Sequence, residues 1–211
     1  MGRLNVQIIP VTPLQQNCAL IWDADSKKAA ITDPGGDIPR ILQAVREAGV
    51  TVEAIFITHG HLDHAGGAAD LAAALKIPII GPDRRDEPLI ADFSKQGARY
   101  GMEAKAFKPE RWLDEGETIA MGGHEFAVLH CPGHTPGHVV FVNHAEKFAV
   151  VGDVLFRNSV GRTDLPYGDH AALISAITEK LLPLGDDYVF ICGHGIGSSF
   201  GAERKSNPFL Q

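Results

Sequence analysis

Histidine and aspartate side chains crowd residues 58–67, which read Thr-His-Gly-His-Leu-Asp-His-Ala-Gly-Gly. Three imidazoles and one carboxylate fall within six consecutive positions, at His59, His61, Asp63 and His64. Imidazole nitrogens and carboxylate oxygens are preferred ligands of zinc, iron and manganese. A single aspartate here would more often cap a helix, and a single histidine is usually structural. The complete pattern is expected by chance in only about one chain in a thousand, so it predicts a metal site.

A predicted strand and a predicted helix position these four side chains. The apolar residues 54–57 directly precede the segment and predict a buried strand that ends in a loop. His59 and His61 are two residues apart, so they project to one side of an extended backbone. A helix predicted over residues 62–75 then turns Asp63 and His64 back toward the same point.

Three further candidate ligands stand at the ends of later strands. His134, Asp153 and His194 follow the strands predicted over residues 124–130, 147–151 and 188–192, and each is preceded by glycine. A glycine followed by a polar residue is often only a turn. The order of strand, glycine or other small residue, and candidate ligand occurs four times, which favours one shared site.

The remaining pattern predicts sheets packed on each other with helices outside, in the α/β (α+β) class. The region 82–112 is predicted as helix plus loop, and we find no internal repeat or linker, so residues 1–211 are predicted to form one domain. Predicted strands cover residues 6–9, 18–22, 28–32, 54–57, 78–81, 117–120, 124–130, 139–142, 147–151 and 188–192, and predicted helices cover 38–48, 62–75, 171–182 and 200–205.

Composition excludes several classes of protein. The net charge of −7 argues against a general nucleic-acid binder, whose surface would be basic. No apolar run approaches 18 residues, so the sequence predicts no membrane span. Cys18, Cys131 and Cys192 are odd in number and widely spaced, which predicts no disulfide framework. A reducing cytoplasm fits this composition best.

These residues resemble the ligand set of the metallo-β-lactamase fold, in the branch of the glyoxalase II-like (hydroxyacylglutathione) hydrolases. The resemblance runs from residue 10 to residue 194 and implies a four-layer αββα sandwich. It implies one metal held by His59, His61 and His134, a second held by Asp63, His64 and His194, and Asp153 bridging the two. It also implies that Asp33, in Thr-Asp-Pro-Gly, supports the ligands from behind.

The function that the resemblance implies is thioester hydrolysis, with S-lactoylglutathione or a related hydroxyacylglutathione as substrate. Two divalent metals, zinc first with iron or manganese as alternatives, would lower the pKa of a shared water to about 7 and supply hydroxide. Asp63 and Asp153 would be the catalytic carboxylates beside it. The extra helical domain of glyoxalase II has no room between His194 and the tail, so the sequence resembles the short, single-domain type.

Candidate substrate contacts are Arg162 and Tyr167 after the bridging aspartate, and Arg204 and Lys205 in a tail that resembles glyoxalase II ends. Two alternatives stay open: a persulfide dioxygenase of the same fold with a single iron, or another metal-dependent ester or lactone hydrolase. A non-catalytic metal module is a third. His138 is predicted to support a ligand or fill the core. The other histidines are predicted to be structural: His124, His130, His144 and His170.

Overall fold

Two β-sheets form the centre of the protein. The computed structural model describes residues 2–211, and the side chains of residues 99 and 100 lie outside this description. The first sheet has the order β1-β2-β3-β4-β5 and the second has the order β13-β12-β9-β8-β7-β6, while β10 and β11 form a separate hairpin. The strands are Leu4–Val11 (β1), Gln16–Asp23 (β2), Lys28–Thr32 (β3), Thr51–Phe56 (β4), Ile79–Ile80 (β5), Thr118–Met121 (β6), His124–His130 (β7), Val139–Asn143 (β8), Phe148–Val150 (β9), Leu155–Phe156 (β10), Ser159–Val160 (β11), Val189–Ile191 (β12) and Ser198–Ser199 (β13).

The two sheets pack face to face through one apolar layer. Successive strand residues point to opposite faces, so every second residue of each strand enters this layer. Ile21 and Phe56 from the first sheet meet Phe126 and Phe141 from the second, and the rings of Phe56 and Phe141 lie 5.8 Å apart. All four side chains are buried.

Helices cover the outer face of each sheet, so both faces are apolar. Ile41 and Leu71 belong to the core outside the first sheet, and Leu173 and Phe200 belong to the core outside the second. The four-layer αββα sandwich is therefore confirmed. The α-helices are Ile38–Ala48 (α1), Leu62–Ala65 (α2), Ala68–Leu75 (α3), Glu87–Ala91 (α4), Phe93–Tyr100 (α5), His170–Ala176 (α6) and Phe200–Ser206 (α7).

The continuous helix predicted over residues 62–75 is wrong. Helix α2 ends at Ala65, and the N–H of Gly67 turns away to donate to the carbonyl of Pro34 at 2.9 Å. A Cβ on Gly67 would lie 2.5 Å from that carbonyl oxygen, so only glycine allows the two loops to meet. The helix predicted over residues 171–182 also changes character, because a π-helical stretch at Ile177–Leu181 follows α6.

The region 82–112 contains a short 3₁₀ turn at Arg84–Asp86, then α4 and α5, and then irregular chain. This agrees with the prediction of helix plus loop. Within residues 2–211, every helix is too short or too polar to cross a bilayer.

Candidate metal centre

The ends of parallel strands gather the candidate ligands at one edge of the sandwich. Strand β4 runs parallel to β3, and β12 runs parallel to β9, so their carboxyl ends lie on the same side of each sheet. His59 follows β4, Asp153 follows β9 and His194 follows β12. His134 follows β7, which belongs to the same sheet as β9 and β12. These candidate ligands therefore lie at one edge of the sandwich, where the sequence predicted a shared site.

His59, His61 and His134 form one group. The Nδ1 atom of His61 lies 3.2 Å from Nε2 of His59 and 2.9 Å from Nε2 of His134. The three ligand atoms lie within 4.8 Å of one another. Such convergence of imidazole nitrogens suits a cation, and zinc is commonly bound by three histidines.

Asp63, His64 and His194 form a second group, whose ligand atoms also lie within 4.8 Å. Oδ2 of Asp63 is 3.2 Å from Nε2 of His194 and 3.9 Å from Nε2 of His64. Asp63 and His64 lie in the first turn of α2 because that helix begins at Leu62. Helix α2 thus directs Asp63 and His64 toward His194, in a group separate from that of His59 and His61.

Asp153 lies between the two groups. Its Oδ1 is 3.3 Å from Nε2 of His64, and its Oδ2 is 3.5 Å from His134 and 3.6 Å from His194. Gly193 leaves room for this carboxylate, because a Cβ there would overlap Oδ1 of Asp153. Among the described residues, Oδ1 of Asp153 and Nε2 of His64 are buried polar atoms without a hydrogen bond. Buried polar atoms are rarely left unpaired, so a cation between them fits the donor set.

Hydrogen bonds to the opposite ring nitrogen set the direction in which these histidines offer a lone pair. Nδ1 of His134 donates to the carbonyl of Arg162 at 2.8 Å, and Nδ1 of His64 donates to Asp33 at 2.9 Å. Nδ1 of His194 donates to the carbonyl of Leu14 at 3.3 Å. In the neutral form of each ring Nε2 is then the unprotonated nitrogen and faces the site, as is usual for histidines that bind metals.

Asp33 supports the second group from behind. It accepts hydrogen bonds from the Thr58 N–H at 2.8 Å, from the Thr58 hydroxyl at 2.6 Å and from His64. The Thr58 hydroxyl lies 3.0 Å from Nδ1 of His59 and accepts from it. With its lone pairs committed to these donors, Asp33 orients ligands, which is the supporting role that the sequence resemblance implied.

Asp86 plays the matching role for the first group, and the sequence reasoning missed it. This fully buried carboxylate accepts from the Gly60 N–H at 2.8 Å, the Thr135 hydroxyl at 2.7 Å and the Gly137 N–H at 2.6 Å. It therefore fastens the loop of His59 and His61 to the loop of His134. Burial raises the pKa of Asp86 to about 6, against the hydrogen bonds that it accepts.

Local electrostatics differ between the two groups. The pKa of His59 lies far below its usual value, and that of His61 is lowered to about 3. Burial is the larger cause in both, and neighbouring imidazoles act in the same direction. Burial would also lower the pKa of His64, but Asp153 and Asp63 outweigh it and hold that pKa well above its usual value. The pKa of Asp153 stays far below its usual value, because His64 and His134 outweigh the raising effect of burial.

A cleft of about 1260 Å³ opens above the candidate metal ligands. Arg162 and Tyr167 line it, as predicted, and Arg162 pairs with Asp164 at 2.7 Å. Arg204 and Lys205 do not line this cleft. Arg204 instead contacts Asp186 at 2.8 Å.

The tail that contains them has another contact with the site. Glu203 is buried and accepts from the Asn158 N–H at 2.8 Å and from Asn207 at 2.9 Å. Asn207 also donates to the carbonyl of Ser159 at 3.0 Å. Helix α7 thereby holds the β10–β11 hairpin, whose residues Phe156 and Val160 line the cleft.

The other histidines lie outside the two groups. His138 is buried, its ring stacks on His59 at 4.6 Å, and its Nε2 accepts from the Asp153 N–H at 3.0 Å. His138 therefore supports a ligand, one of the two roles predicted for it. His124 pairs with Asp23 at 3.0 Å within the sandwich. The rest make structural contacts or begin a helix: His130, His144 and His170.

Comparison with known proteins decides the family. Residues 11–194 match the metallo-beta-lactamase superfamily, a span that includes every proposed metal ligand. The chain belongs to this superfamily. The superfamily fold agrees with the αββα sandwich and with ligands at its edge.

Three known proteins resemble this chain over nearly its whole length. Hydroxyacylglutathione hydrolase GloC of Haemophilus influenzae is 48% identical over 209 residues, covering 98% of each chain. The crystal structure of BLEG-1 B3 metallo-beta-lactamase is 33% identical with a TM-score of 0.91, covering 98% of this chain and 99% of the other. The structure of TTHA1623 in a di-iron-bound form is 35% identical with a TM-score of 0.88, covering 97% and 100%. Family and relatives together identify a metal-dependent hydrolase.

Proposed function

We propose that the chain hydrolyses a thioester, S-lactoylglutathione or a related hydroxyacylglutathione, at a centre of two divalent metal ions. The observation that carries this is the position of Asp153 between two groups of ligands, within 3.6 Å of both His134 and His194. The relative named hydroxyacylglutathione hydrolase supports the substrate class. A relative in a di-iron-bound form supports a pair of metals and makes iron a candidate beside zinc and manganese.

The ligand assignment follows the two groups. His59, His61 and His134 would hold one ion, Asp63, His64 and His194 would hold the other, and Asp153 would serve both from its position between the two groups. When bound, two such ions lower the pKa of a shared water to about 7 and polarise the carbonyl of the substrate.

The protein side chains prepare the site for this chemistry. Asp63 and Asp153 place two carboxylates on the floor of the cleft. In the metal-free protein, protonated His64 outweighs burial and lowers the pKa of each, so both are ionised at neutral pH; bound cations would replace the charge of that proton. Asp33 and Asp86 fix the loops that carry the ligands, which keeps the geometry preorganised. The cleft walls cover part of the substrate and limit its contact with bulk water.

Metal analysis and a hydrolysis assay test the proposal together. Purified protein should contain up to two transition-metal ions per chain and should cleave S-lactoylglutathione without consuming oxygen. One ion per chain at saturation and no thioester cleavage would contradict it. Oxygen uptake with glutathione persulfide would instead indicate the single-iron dioxygenase.

One structural relative is named a B3 metallo-beta-lactamase, so a β-lactam should be assayed beside the thioester. We infer that thioesters are preferred, because Asp153 supplies a carboxylate between the two ligand groups. A cephalosporin assay under the same conditions checks this preference. Faster turnover of the cephalosporin than of the thioester would overturn it.

A further inference from the structure

Apolar side chains form parts of two opposite walls of the cleft. Leu62 and Leu89 line the side formed by α2 and α4, while Phe156, Val160 and Leu165 line the opposite side. The volume of about 1260 Å³ exceeds the roughly 300–1,000 Å³ of typical small-molecule sites. A lactoyl group has only three carbons and one hydroxyl, so the acyl part of such a substrate would offer these walls little apolar surface.

Large apolar side chains also remain exposed at the rim. Leu14 is 43% exposed and Tyr167 is 64% exposed, and both line the cleft. The backbone of Tyr167 has a φ of 71°, a left-handed conformation that is unfavourable for an aromatic residue. Strain of this kind is retained mainly where function needs it, and here it presents the ring at the mouth of the cleft.

The cations of the cleft already have acidic partners. Among the described side chains that line it, the lysine and arginine are Lys95 and Arg162. Lys95 pairs with Asp92 at 2.9 Å, and Arg162 pairs with Asp164 at 2.7 Å. In each pair the two residues are close in sequence, so the positive charge already has an acidic partner in the substrate-free protein. A ligand recognised chiefly through its carboxylates would therefore compete with these aspartates for the same cations.

We propose that this cleft selects thioesters that carry a bulky apolar group, an aliphatic chain of several methylenes or an aromatic ring. The inference rests on the proposed thioester hydrolysis and names its substrate class. The apolar group can belong to the acyl side or to the thiol side of the thioester, because the same wall would bury either.

Two series of substrates distinguish the acyl side from the thiol side. With metal-loaded protein, kcat/KM is compared for S-acetyl-, S-butanoyl- and S-hexanoylglutathione, and then for S-acetylglutathione against the acetyl ester of benzyl thiol. Full burial of one methylene corresponds to about a fourfold gain, so S-hexanoylglutathione should exceed S-acetylglutathione by at least about tenfold if the acyl group lies on the wall. A gain in the second comparison assigns the wall to the thiol. No gain in either comparison overturns the proposal.

A variant and its control connect the gain to the wall. Leu165→Asn should reduce kcat/KM for the substrate with the apolar group about tenfold, while S-acetylglutathione changes less than twofold. Phe209→Asn replaces another exposed apolar residue, 49% exposed and outside the cleft, and should leave both values unchanged. Equal effects of Leu165→Asn on both substrates would contradict the assignment.

Binding without turnover separates this inference from the proposed function. S-hexylglutathione and S-methylglutathione cannot be hydrolysed, and calorimetry should show at least about tenfold tighter binding of the hexyl compound to the loaded protein. If no thioester is cleaved, the proposed function fails, and this measurement still decides the inference. Equal dissociation constants for the two compounds, together with no gain in the thiol comparison, would overturn the apolar cleft.

Discussion

Replacing Asp33 with asparagine removes one acceptor from the network behind the second group of ligands. Asp33 uses Oδ1 for the Thr58 N–H at 2.8 Å, and Oδ2 for the Thr58 hydroxyl and Nδ1 of His64 at 2.6 and 2.9 Å. Asparagine has one acceptor oxygen, so its NH₂ must face either the Thr58 N–H or the His64 ring. In the second orientation His64 must protonate Nε2, which removes the lone pair that faces Asp153.

The size of the effect follows from these contacts. One buried donor without an acceptor costs about 1–3 kcal/mol, which lowers the melting temperature of a chain of this length by roughly 3–10 °C. Loss of a group that orients a metal-binding histidine weakens metal affinity about 10- to 100-fold. We expect that loss at the metal held by Asp63, His64 and His194, with a smaller change at the other metal.

Calorimetric titration of zinc into the metal-free protein measures both sites, and thermal unfolding measures stability. Asp23→Asn is the matched control, because Asp23 is equally buried and pairs with His124 at 3.0 Å without contacting any proposed ligand. The control should lose stability and keep both metal affinities. Unchanged metal affinity in Asp33→Asn despite the predicted loss of stability would refute the reasoning, as would an equal loss of affinity in Asp23→Asn.

Four further predictions concern single residues. Asp153→Ala should abolish hydrolysis and leave the circular dichroism spectrum unchanged; near-normal turnover would exclude a bridging role. His138→Ala should lower activity about 10- to 100-fold, because Nε2 of His138 accepts from the Asp153 N–H, and total loss would make it a ligand. The carboxyl group of Asp86 has a folded pKa of about 6 against an ordinary 3.8, so it contributes stability below about pH 4 that is lost as the pH rises through 6. The free energy of unfolding, measured with urea on metal-free protein, should therefore fall by about 2–2.5 kcal/mol relative to Asp86→Asn between pH 4 and 7, and parallel pH profiles would contradict this. Arg204→Ala should leave KM for a glutathione thioester unchanged, because Arg204 contacts Asp186 outside the cleft; a raised KM would place the tail in the substrate site.

Four of the seven candidate metal ligands could be located from sequence because their spacing is local. His59, His61, Asp63 and His64 lie within one strand-to-helix connection, and the period of each element decides which way a side chain projects. The layers of the fold were predictable for the same reason, since alternating and helical patterns of apolar residues are visible along the chain. Whether ions occupy both groups of ligands is the part that the proposed metal analysis tests.

The supporting role of Asp86 was not predictable, unlike the roles expected of Asp33 and His138, because its partners lie far away in the sequence. Asp86 contacts Gly60 and Gly137, which are 26 and 51 residues away, and no local pattern relates such positions. The break in the helix at Gly67 likewise depends on the carbonyl of Pro34 in another loop. Two consecutive glycines inside a predicted helix were the available signal, since glycine is unfavourable in a helix interior.

The anchoring of the β10–β11 hairpin by Glu203 and Asn207 has a consequence for biosynthesis. Asn207 is 143 residues downstream of His64, and chains are synthesised at about 5–20 residues per second. A growing chain would therefore carry its first four ligands for roughly 7–30 s before the far wall of the cleft could be fastened. The second group of candidate ligands lacks His194 until 13 residues before Asn207, so this group and the far wall of the cleft are completed almost together, late in translation.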